Sequence, residues 1–107
     1  MRFDELIHQP TRLKIMAYLT GLGADAQVEF GTLQRELELT EGNLSRHLAR
    51  LEKAGYVRIE KGYEKKRPRT WIRLTGAGRD ALEDHLAALE ELARTARYPG
   101  AAGREER

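Results

Sequence analysis

The sequence predicts a mainly α domain of the α+β class, with a β-hairpin and a long C-terminal helix. Three observations carry this. Leu44, Leu48 and Leu51 recur at helical spacing and are followed by Gly55; residues 56–60 and 70–74 alternate apolar with polar or charged side chains around the Gly- and Pro-marked stretch KGYEKKRPR; and Leu82, Leu86, Leu89, Ala93 and Ala96 follow an i, i+4, i+7, i+11, i+14 pattern. At 107 residues one domain is expected. Such a chain can bury a single modest core, and a partner subunit would help it.

Each element has a local reason. Residues 3–8 suit a short helix that stops before Pro10, which is compatible with the first turn of the next. Apolar residues at 13, 15, 16, 17 and 19 indicate a largely buried helix over residues 11–20, ended by Gly21-Leu22-Gly23, with a loop over 24–27. Val28-Glu29-Phe30 suits a brief edge strand. Residues 32–37 read as a short helix with Leu33 and Leu37 on its inner side. Thr40 is a good N-cap for a helix over residues 41–54, and Gly55 suits its left-handed stop. The stretch over residues 61–69 is read as the loop between the two strands. Thr75 caps the last helix, expected over residues 75–97; residues 98–107 are expected to form a flexible tail after Pro99-Gly100.

Composition narrows the function. The net charge is only +2, but between Arg46 and Arg73 ten Lys or Arg stand against three Glu, a local net of +7 that leaves −5 elsewhere. Such asymmetry points to an anionic partner, the alternative being a merely solvated charge run. On a helical wheel the leucine stripe of residues 41–54 is opposed by Gly42, Arg46, Ala49, Arg50 and Lys53, with Asn43 at the margin and Ser45 at the flank. A helix of this kind in a major groove offers Arg to guanine and Asn to adenine, while Thr40 and the N-terminal amides suit phosphate. The alternative is an amphipathic helix kept soluble by its basic side.

The chain has no cysteine, so disulfides and thiolate metal sites are excluded. His8, His47 and His85 show no ligand spacing, and no metal or other cofactor is expected. No nucleophile–base constellation or phosphate loop appears, so an enzyme is not expected and no catalytic residue is assigned. There is no apolar run of the ~20 residues needed to span a bilayer, and MRFDELIHQP lacks a signal-peptide core. A cytoplasmic location without membrane partners follows by default.

Two short helices joined by a brief turn, then a hairpin with a basic tip, make the arrangement of a winged helix-turn-helix with a β-hairpin wing. PTRLKIMAYL, FGTLQRELELTEGNLSRHLARLEKAGYVRIEK and RPRTWIRLTGAGRDAL together resemble the winged helix-turn-helix transcriptional regulators of the MarR/ArsR type, over roughly residues 6–92. The short form with a single C-terminal helix is the nearest in kind. The resemblance implies a bacterial or archaeal regulator that binds double-stranded DNA. It places recognition-helix contacts on Glu41, Gly42, Asn43, Ser45 and Arg46, together with His47 and Arg50. Glu41 would repel phosphate unless it reads a cytosine amino group. His47 is open between packing against the wing and touching DNA. The wing, about residues 61–69, would contribute Lys65, Lys66, Arg67 and Arg69, with Tyr63 anchoring the loop.

The final helix is longer than one small core can cover. Its stripe of Leu82, Leu86, Leu89, Ala93 and Ala96 therefore suits a homodimer seam, the alternative being packing on its own core. A cleft between this helix and the winged domain would suit a small apolar effector, although no residue names one. A winged-helix protein-interaction module without specific DNA binding is the competing function.

Overall fold

The computed structural model describes residues 3–98. Its elements run α1 (Glu5–His8), α2 (Pro10–Gly21), β1 (Gln27–Glu29), α3 (Phe30–Glu36), α4 (Glu41–Lys53), β2 (Val57–Glu64), β3 (Arg67–Leu74) and α5 (Gly76–Arg97). The expected tail lies outside the described residues, apart from Tyr98. The caps explain most boundaries. Asp4 Oδ1 accepts from the amides of Leu6 and Ile7, Gln9 accepts from Arg12, Thr40 from Asn43 and Thr75 from Gly78. Gly55, at φ 82°, releases the chain from α4 into β2. α3 takes in Phe30, which the sequence suggested as the end of the edge strand.

The core is continuous. Ile7, Ile15, Met16 and Leu19 from α1 and α2 meet Leu33, Leu44, Leu48 and Leu51 from α3 and α4, with Val28, Val57, Ile72, Leu74 and Leu82 completing the cluster. The sheet is antiparallel with order β1-β3-β2. β1 pairs only with residues 71–73, at the root of the hairpin.

The hairpin departs from the expectation of a long loop over residues 61–69. β2 and β3 pair in unbroken register from Val57↔Leu74 to Glu64↔Arg67, so only Lys65 and Lys66 turn. Both have positive φ, 51° and 66°, which a two-residue hairpin turn of type I′ requires at its central positions. Pro68 does not interrupt the pairing, because its missing N–H falls beyond the end of β1, where β3 has an open edge. The wing is therefore a ribbon with a sharp tip.

α5 approaches the sheet closely at its start. A methyl on Gly78 would collide with the carbonyl of Tyr56 and lie 2.9 Å from Leu74 Cδ1. From there Gly78, Leu82, His85 and Ala88 are the buried residues of the helix. Beyond Ala88, α5 continues for more than two turns with no residue fully covered.

Candidate nucleic-acid interface

α4 presents two opposite chemistries because its leucines fall on one arc. Leu44, Leu48 and Leu51 are completely covered, whereas Glu41, Gly42, Ser45, Arg46, Ala49, Arg50 and Lys53 are exposed and Asn43 is half-buried. Thr40 Oγ1 accepts from the Asn43 amide at 3.1 Å, which fixes the leading end of the helix. One turn on, Arg46 Nη2 donates to Asn43 Oδ1 at 2.6 Å. This pairing sets both planar groups side by side before any partner arrives. Arg46 keeps further N–H donors for a base edge, and Asn43 keeps its amide N–H groups. Among the described residues none of Arg46, Arg50 and Lys53 is neutralised by an ion pair. Glu41 stands in the first helical turn, where the positive end of the helix dipole favours a carboxylate; this gives its charge a structural role.

His47 behaves differently from its neighbours. It is half-buried, and its Nδ1 lies 3.1 Å from Nη1 of Arg12, a residue of α2. The sequence leaves it open between the wing and DNA; its partner is instead the N-terminal part of the domain. Burial, followed by the charges of Arg12, Arg46 and Arg50, holds the imidazole pKa below its ordinary value.

The wing residues divide in two. Lys65, Lys66 and Arg67 are exposed at the tip and carry no ion pair among the described residues. Lysines in left-handed backbone cost about 1 kcal/mol or more each relative to glycine-type turns, so the tip keeps its charge against local preference. Arg69 belongs to the wing's root: it pairs with Glu29 at 2.7 Å and with Glu64 at 3.8 Å, tying β3 to β1 and β2. Arg73 is likewise held by Glu60 at 3.3 Å. Tyr63 is 80% exposed, in place of the loop-anchoring position expected from sequence.

The proposed seam of α5 also divides. Leu82 is 1% exposed and belongs to the chain's own core, because it falls on the same arc as Gly78 and His85. Leu86 and Ala96 are exposed, and Leu89 and Ala93 are half-buried; Leu92, outside the strict seam, is 44% exposed.

Two of the three histidines, which share no sequence spacing, meet in space. His85, 1% exposed, accepts the Asp4 backbone N–H on Nδ1 at 3.2 Å, so its proton resides on Nε2 and faces His8 Nδ1 at 3.3 Å. Phe3 packs against both rings. Asp4 Oδ2 accepts from the Tyr56 hydroxyl at 2.6 Å, which, with burial, pushes the phenol pKa up to about 12. Beside this cluster a cleft of about 630 Å³ is lined by Phe3, Asp4, Tyr56, Asp84, His85 and Glu91 together with small α5 residues. Its three carboxylates make it unlike the apolar effector cleft expected from the sequence. Among the described residues no group of three or more His, Cys, Asp or Glu could hold a metal ion. Likewise no described helix is long and apolar enough to cross a membrane.

A helix-turn-helix with its basic side exposed, followed by a charged β-ribbon, defines a DNA-binding winged-helix architecture. Residues 11–93 match the winged helix DNA-binding domain family, and the chain belongs to that family. An uncharacterized protein of Methanocaldococcus jannaschii, MJ0432, is 36% identical over 90 residues, spanning 84% of this chain and 95% of that one. Among solved structures, a transcriptional regulator homologue from Pyrococcus horikoshii OT3 superposes with a TM-score of 0.79 at 30% identity, covering 87% of this chain and 89% of its own. A protein described as a transcriptional regulator of the MarR family, from Enterococcus faecalis V583, gives a TM-score of 0.68 at 29% identity over 92% of this chain and 84% of its own. The chain is thus a DNA-binding regulator of winged-helix architecture, similar in fold to a MarR-family protein, and its partner is double-stranded DNA.

Proposed function

We propose that the chain regulates transcription as a homodimer that reads a specific operator. α4 enters the major groove, and the tip at Lys65 and Lys66, with Arg67, grips the flanking backbone or minor groove. The observation that carries this reading is the exposed side of α4. Arg46, Arg50 and Lys53 there have no carboxylate partner among the described residues, whereas Arg69 and Arg73 nearby do. Small residues at Gly42, Ser45 and Ala49 let the helix backbone approach a surface closely. Dimerisation is supported by the later part of α5, where Leu86, Leu89, Leu92, Ala93 and Ala96 remain without full cover.

The test is selection of bound fragments from genomic DNA. Enrichment of near-palindromic sites is expected, with half-site centres about 10 base pairs, or a multiple of this, apart. Recovery of no sequence above the input would favour a protein-interaction module in its place.

A further inference from the structure

Arg12 is only 7% exposed, and no carboxylate among the described residues lies within ion-pair distance of it. Burying a guanidinium without an anionic partner is costly, so its hydrogen bonds must secure something. Nε donates to the Leu6 carbonyl at 2.6 Å, and Nη1 lies 3.1 Å from His47 Nδ1. A guanidinium can only donate. His47 Nδ1 is therefore the acceptor and holds no proton, and the proton of the neutral ring is on Nε2. The charged groups facing this ring are Arg12 from α2 and Arg46 and Arg50 from α4, all cationic. Among the described residues nothing around it favours an imidazolium.

We propose that Arg12 is a positioning residue for DNA binding: by donating to Nδ1 it locks His47 as the uncharged Nε2–H form on the flank of α4. The recognition helix then meets the phosphate backbone with a fixed donor at this position, in place of a charge that titrates near neutrality. Without Arg12 an approaching phosphate would draw a proton onto the freed Nδ1, and affinity would become pH-dependent. The assignment rests on the recognition-helix reading above.

Two measurements test it. In the free protein, ring 15N shifts of His47 at pH 7 should show an unprotonated Nδ1 and a protonated Nε2; an Nδ1–H tautomer or an imidazolium overturns the assignment. This arm needs no variant of Arg12. The second is affinity for a mixed-sequence duplex at fixed low salt between pH 8 and pH 5.5, for wild type, His47→Gln, Arg12→Met and the double variant. Wild type and His47→Gln should run parallel. Arg12→Met should gain affinity over the double variant as pH falls, by up to about tenfold per pH unit for each protomer bound, the limit for one proton taken up per His47. A purely structural Arg12 would weaken binding by one factor at every pH and leave those two profiles parallel, which overturns the proposal. Failure of the wild type to bind any duplex would instead overturn the recognition-helix reading, with the tautomer still decided by the first measurement.

Discussion

Protonation is a sensitive probe of how these side chains are held. Burial first, and then His8, depress the His85 pKa below its ordinary 6.5, with Asp4 opposing them. Above that value folded and unfolded chains are both neutral at His85, and the contribution is intact. Below it the unfolded chain takes up a proton that the folded chain resists, so stability declines from about pH 6.5 toward the lower folded pKa. His47 acts in the same sense. Thermal unfolding midpoints should therefore fall between pH 7.5 and 5.5, and His85→Gln should reduce the slope; a midpoint that rises over this interval would refute the arrangement. Neither histidine's role was legible in the sequence. Their partners lie 35 and 77 or more residues away, at Arg12 and at His8 and Asp4, so no local pattern records them. Thr40, Thr75 and Gly55 were legible, because a cap or a left-handed stop is decided within four residues.

Helices and strands are legible where one side is buried and less so where neither is. The leucine stripe marks α4, and alternation marks the inner halves of β2 and β3, which pack on the core. Their outer halves have no apolar alternation, since Lys61, Glu64 and Arg67 are exposed and so is Tyr63; they are strands because each pairs with the other. In α5 one periodicity serves two purposes, with Leu82 packing at home and the later positions left uncovered. The close approach of its first turn to the sheet gives a sharp prediction. Gly78→Ala should destabilise the domain by about 1–3 kcal/mol, since the added methyl meets the Tyr56 carbonyl, whereas Gly76→Ala, with open space around it, should not. Denaturant midpoints for the two variants would show it, and equal midpoints would mean that α5 sits farther from β2. Further along the helix, replacing both Leu86 and Leu89 by Glu should convert the proposed dimer to monomer. Sedimentation would reveal this, with far-UV circular dichroism confirming that the fold persists. A variant that stays dimeric would place the interface away from α5.

In the proposed complex with DNA, reading and gripping fall to different parts. Among the described residues the basic side chains of α4 and of the wing tip carry no ion pair, whereas Arg69 and Arg73 are neutralised by Glu29, Glu64 and Glu60 and so stiffen the ribbon. Linking two such units multiplies a modest half-site affinity, so the monomeric variant should lose operator binding by more than the substituted side chains alone explain. The most direct test is the affinity profile of three proteins (wild type, Arg46→Ala and the double wing variant) across a library of operator variants, repeated at several salt concentrations. Arg46→Ala should relax preference at particular base pairs by about 1–3 kcal/mol while leaving most nonspecific affinity intact. Replacing Lys65 and Lys66 by Ala should weaken every sequence nearly alike and reduce the slope of log affinity against log salt by about one for each phosphate no longer neutralised. Wing substitutions that reshape base preference, together with an Arg46→Ala profile parallel to wild type, would contradict this division of roles.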